Sequence, residues 1–375
     1  MFALLALAVQ EPVLAPDAEG RWVPFELTAA NQIRFEMQAG GRSASAILDT
    51  GFTDTVASAS FARTLKLKPR GQGSATAIGG SVAIRWADSP ALALAGLRRS
   101  GGRIGIADMS AAGDQAADLY IGADLLACCA LDIDYAARRF RILPSGRMPF
   151  AGLTAPLAQV RGSGTFVTEL RVGERRLRPI LVDTGDGSWL TLTREAWSQA
   201  IPAGARVTTT LGYGLGGPVV TEAAIAADIL LAGRATGELE VRKEAAAGYS
   251  ATTGTAGRIG SGLLMRYRVL LDPRAGRMVL LPEPGAAGPA IRSTSGLLFA
   301  YSEGALAVAH VMRGSPAAES GWKAGERICA ADGVLVAEDV AGDGLVDWGV
   351  GAPGRTVRLT LCNGAERRLT LRRFY

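Results

Sequence analysis

Histidine is almost absent from this sequence of 375 residues: His310 stands alone. One imidazole excludes a multi-histidine metal site and makes any serine–histidine or cysteine–histidine nucleophile depend on that residue. Its place on a predicted strand near the end of the chain reads as structural. Cysteine is nearly as scarce, with Cys128 and Cys129 adjacent and Cys329 and Cys362 far downstream. No Cys-x-x-Cys pair occurs, which removes zinc ribbons and thioredoxin-type redox motifs. Neighbouring cysteines rarely bond each other, so Cys128 and Cys129 read as small buried hydrophobes. Cys329 and Cys362 fall on two predicted strands and suit a disulfide in an oxidising compartment, while spacing leaves the connectivity open.

Long apolar runs are missing too. The apolar start, Met1–Val9, is far shorter than the roughly 20 residues a spanning helix needs. It ends in Ala6-Leu7-Ala8, a small-x-small pattern that suits cleavage, and reads as an export signal, with a buried first strand as the alternative. The expectation is a periplasmic or secreted protein with no integral membrane segment. Basic residues number 40 against 35 acidic ones, for a formal charge of +5. They are interspersed, with no basic run or aromatic-basic stripe, so they read as a solvated surface rather than a nucleic-acid face. What is plentiful is hydrophobic residues at 48%, with 48 glycines and 17 prolines. That supports a sizeable folded core and argues against wholesale disorder.

One tripeptide is used twice. Asp49-Thr50-Gly51 ends the apolar run Ala46-Ile47-Leu48, and Asp183-Thr184-Gly185 ends Ile180-Leu181-Val182. Each time a β-type run delivers a carboxylate to its tip, a hydroxyl follows, and a glycine allows a sharp turn. A single copy is ordinary turn chemistry, but further landmarks repeat in the same order. Ile121-Gly122 is answered by Ile259-Gly260, each preceding a Leu-Leu pair. Asp134 to Pro144 is answered by Asp272 to Pro282 at the same spacing. The predicted helix Arg194–Ala200 answers that at Ser58–Leu67, and a further short helix is expected at Ala123–Ala127. The rest is short alternating runs broken by Gly-rich turns, the pattern of all-β lobes. Two homologous lobes would bring the two carboxylates face to face.

The implied organisation is an N-terminal segment at 1–20, a first β lobe at 21–150, a second at 151–284, a Pro/Gly/Ala-rich linker at 285–292, and a small α+β domain at 293–375. In the last, Ser315–Gly321 reads as a short helix, and Asn363-Gly364 as the turn of a closing hairpin.

The duplicated Asp-Thr-Gly, each copy followed by an apolar-Gly pair, resembles the aspartic peptidases of the pepsin and retropepsin type. Asp49-Thr50-Gly51-Phe52-Thr53-Asp54-Thr55-Val56 is closest to the retropepsin pattern, and the short halves resemble the single-chain bacterial members. The resemblance spans about Trp22 to Pro282. It implies two lobes related by a pseudo-twofold axis and a catalytic pair, Asp49 and Asp183, that share one proton and activate a water against a peptide bond. It also implies that Thr50 and Thr184 brace the loops and that Gly51 and Gly185 let the backbone approach. Phe52 and Asp186 depart from the small hydroxyl residues usual after the glycine. Facing inward, Asp186 would raise the proton affinity of the pair; the expectation is that it faces solvent, with Thr53 or Ser188 supplying a supporting hydroxyl. Flap candidates are the glycine-tipped hairpins at Ile78, Gly79 and Gly80 and around Tyr213, whose hydroxyl is a candidate to reach the pair.

The last domain is similar to a bacterial PDZ domain. Gly296, Leu297, Leu298 and Phe299 correspond to its carboxylate-binding loop, with Leu298 in place of a usual glycine. The expected partners are a polypeptide substrate and, at the last domain, a peptide or protein C-terminus. No cofactor or metal is expected. The alternative is a catalytically inactive peptide-binding or scaffold protein that keeps the fold.

Overall fold

The two apolar runs that precede the acidic tips lie in the middle of their sheets. In a computed structural model that describes residues 11–110, 117–285, 288–336 and 347–375, Ile47, Leu48, Ile180 and Val182 are fully buried. Burying such a side chain contributes about 1.5–3 kcal/mol, enough to fix which face of the strand turns inward. The strand Arg42–Leu48 runs antiparallel to Ile33–Ala39 and parallel to Leu119–Ile121. The strand Arg175–Asp183 repeats the plan, antiparallel to Phe166–Val172 and parallel to Gly257–Gly260. Tyr120 lies opposite Ile47 in the first lobe, and Arg258 lies opposite Leu181 in the second. These are equivalent positions, and they carry unlike residues.

The protein is mostly β, with two homologous lobes. Among the described residues, each lobe is built on one large sheet, and a six-stranded sheet joins them. At its centre Ala130–Asp134 pairs antiparallel with Tyr267–Asp272, Leu131 opposite Leu271 and Ile133 opposite Val269. The fully buried Asp132 is held there by Arg141 of its own lobe and Arg268 of the other. A single apolar core runs through both lobes, including Phe140, Phe166, Leu264 and Met278. The helices expected from sequence are Ala59–Thr64, Ala123–Leu126 and Arg194–Ala200; the first is capped by Ser58, whose hydroxyl accepts from the Phe61 N–H.

The cysteines correct one expectation and fill in another. Cys128 and Cys129, read as unpaired hydrophobes, form a disulfide with each other just after the helix Ala123–Leu126. Cys329, on the strand Arg327–Ala331, and Cys362, just past the neighbouring strand Thr356–Leu361, also form a disulfide.

Beyond the lobes, Leu297–Ser302, Ala305–Val311, Arg327–Ala331, Thr356–Leu361 and Glu366–Thr370 build a separate sheet in that order. It has its own core of Leu297, Leu306, Val308, Trp322, Ile328 and Trp348, among others. Ser315 caps the short helix Pro316–Glu319, and Asn363 and Gly364 sit in the turn of the closing hairpin. This unit rests on the second lobe. Thr208 Oγ1 donates to the Arg313 carbonyl (2.9 Å), Thr209 Oγ1 meets His310 Nε2 (2.9 Å), and Arg313 pairs with Glu222 (2.7 Å). Tyr375 donates to Glu240 at 3.0 Å. His310 is thus a docking residue, and partial burial lowers its proton affinity. The N-terminal segment read as an export signal lies outside the described residues. No described helix is long and apolar enough to cross a membrane.

Candidate active site

Each acidic tip is delivered by its strand into the seam between the lobes, and the loop that follows turns it against its counterpart. A Cβ added to Gly51 would lie 2.5 Å from the Asp183 carboxylate, and one added to Gly185 would overlap the Asp49 carboxylate. Only a residue without a side chain lets the two loops approach this closely. Asp49 and Asp183 are 7% and 4% exposed, so two carboxyls share one small space screened from bulk solvent.

The threonines hold the loops in register. Thr50 Oγ1 donates to the Val182 carbonyl (2.6 Å) while accepting from the Thr184 N–H (3.1 Å). Thr184 Oγ1 reciprocates, donating to the Leu48 carbonyl (2.7 Å) and accepting from the Thr50 N–H (3.1 Å). Both threonines are fully buried, so four groups that water cannot reach satisfy one another. Inside each loop the aspartate accepts from the glycine two residues on: Gly51 N–H to Asp49 and Gly185 N–H to Asp183, both 3.0 Å. Asp183 Oδ1 also accepts from the Asp186 N–H at 3.1 Å.

Electrostatics follow from that packing. Burial first, then the charge of Asp183, hold the Asp49 carboxyl well above the usual range. Burial first, then the charge of Asp186, push Asp183 up to about 6 against the opposing pull of Arg258 and two N–H donors. Two carboxyls in contact cannot both ionise cheaply, so the pair keeps a proton well above the pH at which an isolated aspartate loses it.

Residues 35–125 match the model of a family described as aspartyl protease. The matched stretch contains Asp49 and its loop; Asp183 comes from the second lobe, beyond it. Basic 7S globulin from soybean is a similar solved structure, with 10% identity, a TM-score of 0.41, and coverage of 69% of this chain and 93% of that one. No characterised protein sequence matches the chain.

The hairpins named as flap candidates form: Pro69–Ala77 with Gly80–Asp88, and Thr208–Gly214 with Gly217–Ala226. They meet tip to tip, the Gly216 N–H donating to the Ile78 carbonyl at 3.0 Å. Gly79 (φ +89°) and Gly217 (φ +100°) turn the chain through a left-handed conformation at the tips, and an added Cβ on Gly79 would sit 2.5 Å from the Gly217 carbonyl. Leu215 at the second tip packs against the apolar cluster that includes Ile47, Ile84 and Tyr120. Tyr213 does not reach the aspartate pair: its side chain is 58% exposed, because strand alternation at this tip turns it outward.

Tyr249, which sequence reasoning missed, comes closer. It lies on the short helix Tyr249–Thr252 of the second lobe, and its hydroxyl donates to the Gly51 carbonyl at 2.6 Å. Burial and the charges of Asp183 and Asp49 raise its proton affinity. Across the pseudo-twofold axis, Gln32 Nε2 donates to the Gly185 carbonyl at 2.7 Å. Neither residue belongs to a local motif, so no sequence signal marks them.

Asp186 corrects a further expectation. It is buried, not solvent-facing, and pairs with Arg258 Nε at 2.5 Å. Arg258 also binds Glu244, which accepts from the Ser250 N–H at 2.9 Å. Burial works against the Asp186 carboxylate, but Arg258 and the Ser188 N–H outweigh it and hold it below the usual range. The Ser188 hydroxyl bonds Thr191 (3.2 Å) rather than the dyad.

In the last unit, the loop compared with a carboxylate-binding loop is already occupied. The Gly296 N–H donates to Ser293 Oγ (2.9 Å) and the Leu297 N–H to Ser295 Oγ (3.1 Å). Leu298 and Phe299 continue into the strand Leu297–Ser302, the edge of its sheet among the described residues, where Phe299 packs on Trp348.

Proposed function

We propose that this protein is an aspartic endopeptidase in which Asp49 and Asp183 share a proton and activate a water between them. The ionised carboxylate of the pair takes a proton from the water as it attacks the scissile carbonyl, and the protonated carboxyl donates to the carbonyl oxygen. The observation that carries the reading is the reciprocal Thr50–Thr184 network, which sets each carboxylate against the other's glycine. A turn without catalytic work would not need two interlocked loops and two buried carboxyls with raised proton affinity. Raised values suit the task, because one carboxyl must stay protonated while the other is ionised.

The substrate in this reading is a polypeptide held extended under the two flaps, which must part to admit it. The last unit is PDZ-like in the same reading and takes a peptide by strand addition at Leu297–Ser302. Because serine hydroxyls hold the Gly296 and Leu297 N–H groups, strand pairing rather than carboxylate capture supplies its affinity. Two disulfides suit an exported, periplasmic or secreted protein.

The test is cleavage of a denatured protein substrate from pH 3 to 8 by wild type, Asp49→Asn and Asp183→Asn. The expected outcome is cleavage by wild type alone, with a loss of at least about 10³-fold in either variant. Equal cleavage by all three would refute the assignment.

A further inference from the structure

The two halves of the dyad stand in unlike surroundings although their backbones match. The Phe52 carbonyl accepts from the Ala123 N–H at 2.8 Å, and the Asp186 carbonyl accepts from the Ser261 N–H at 2.7 Å, so Phe52 and Asp186 are equivalent positions. Tyr120 and Arg258 are equivalent by strand register. In the first lobe this pair of positions holds two aromatic rings, with centroids 6.0 Å apart, within an apolar cluster of Ile47, Val56, Ile84 and Met109. In the second lobe it holds an ion pair, extended by Glu244 behind Arg258. The internal duplication therefore carries an aromatic contact on one side of the seam and a buried charged chain on the other.

That chain bears on the dyad directly. Asp186 follows Asp183 by three residues, its N–H bonds the Asp183 carboxylate, and the residue is 8% exposed. A like charge held this close in a buried site disfavours ionisation of Asp183, and a cation beyond it partly cancels the effect. The other charged or titratable groups that face the Asp49–Asp183 dyad and this chain are Tyr120, Glu244, Tyr249 and Arg242. Arg258 is buried against three carboxylates, and their charges outweigh the cost of burial in keeping it protonated.

We propose that the Asp186–Arg258–Glu244 chain of the second lobe sets the pH window of the dyad: Asp186 keeps the shared proton on the pair towards neutral pH, and Arg258 is the positioning residue that limits how far. This rests on the peptidase reading for its consequence in catalysis, but not for its physical content. Removing the Asp186 charge leaves Arg258 paired with Glu244 and lets Asp183 ionise at lower pH. Removing Arg258 leaves two buried carboxylates without a counter-charge and drives the dyad the other way.

The experiment is a pH titration of the aspartate carboxyl carbons by NMR on the full chain labelled with ¹³C-aspartate, with Asp49→Asn and Asp183→Asn spectra used for assignment. Wild type, Asp186→Asn and Arg258→Met are compared, and the pH profile of kcat/KM is recorded in parallel. Asp186→Asn is expected to move the Asp183 titration down by about one pH unit and Arg258→Met to move it up by a similar amount. If Arg258→Met does not fold, Arg258→Lys is read instead; an upward shift is expected because an ammonium cannot bridge both carboxylates, and a smaller one than for methionine because the positive charge remains. Opposite signs are the signature, since a purely structural role would reduce stability without moving the titration. An unmoved titration in Asp186→Asn, or shifts of the same sign in both variants, overturns the proposal. Absence of cleavage by wild type with shifts of the expected sign would instead refute the peptidase reading and leave this one standing.

Discussion

Replacing Thr50 by valine changes almost nothing in shape and removes one hydroxyl from the centre of the molecule. That hydroxyl donates to the Val182 carbonyl and accepts from the Thr184 N–H, in a site with no exposure. Each buried hydrogen bond contributes about 0.5–1.5 kcal/mol net, and a buried N–H left without a partner costs about 1–3 kcal/mol. Thr50→Val should therefore lose about 2–4 kcal/mol, a large part of the roughly 5–15 kcal/mol that holds a typical domain. Thr50→Ser keeps the oxygen and should lose well under half as much. The measurement is urea unfolding at constant m-value, with kcat/KM on the same preparations. Activity should fall further than stability predicts, because a shift of about 1 Å in one carboxylate is worth about 10²-fold in rate. The double variant Thr50→Val/Thr184→Val should lose less than the sum of the single variants, since both act on one network. A Thr50→Val protein within about 0.5 kcal/mol of wild type would refute the claim that this interlock fixes the two loops.

Three other predictions follow from the same geometry. A carboxyl whose proton affinity is raised on folding is favoured when protonated, so its contribution to stability is lost as pH rises from 3.8 towards about 6. Asp183→Asn, which cannot ionise, should exceed wild type in stability by up to about 3 kcal/mol above pH 6 and show no gain below pH 4, as read by denaturant unfolding across pH. An added methyl on Gly216 would run into the Gly79 backbone at the hairpin tips. Gly216→Ala should therefore speed hydrogen exchange at the tip amides by roughly tenfold, and unchanged exchange would mean that the tip contact does not hold the two hairpins together. Reducing agent should lower the thermal midpoint of the last unit through loss of Cys329–Cys362, and the midpoint of that unit should be insensitive to the treatment in a Cys329→Ser/Cys362→Ser protein, which keeps only Cys128–Cys129 in the lobes.

The duplication was legible because it is written in local chemistry. An apolar run buries itself in a sheet, an acidic tip and a glycine follow, and the same order recurs down the chain; these features implied two lobes, an all-β architecture and a pair of aspartates. The hairpin tips were legible for the same reason, as glycine is the residue that turns the chain there. Tyr213 was misread because a tyrosine in a tip says nothing about which face of the strand it occupies. Asp186 was misread because a charged residue in a loop is usually solvated, and its partners Arg258 and Glu244 lie 72 and 58 positions further on.

Sequence alone, then, determined the repeat, the two carboxylates and the hydroxyl and glycine beside each, since those requirements act within a few residues. Tertiary structure alone decided what meets across the seam: the crossed threonines, Tyr249 on the Gly51 carbonyl, Gln32 on that of Gly185, and an aromatic pair facing an ion pair across the dyad. The physical reason is that hydrogen bonds and buried charges are set by distance in space, and nothing in the local pattern of a chain encodes which remote segment will lie within 3 Å of it.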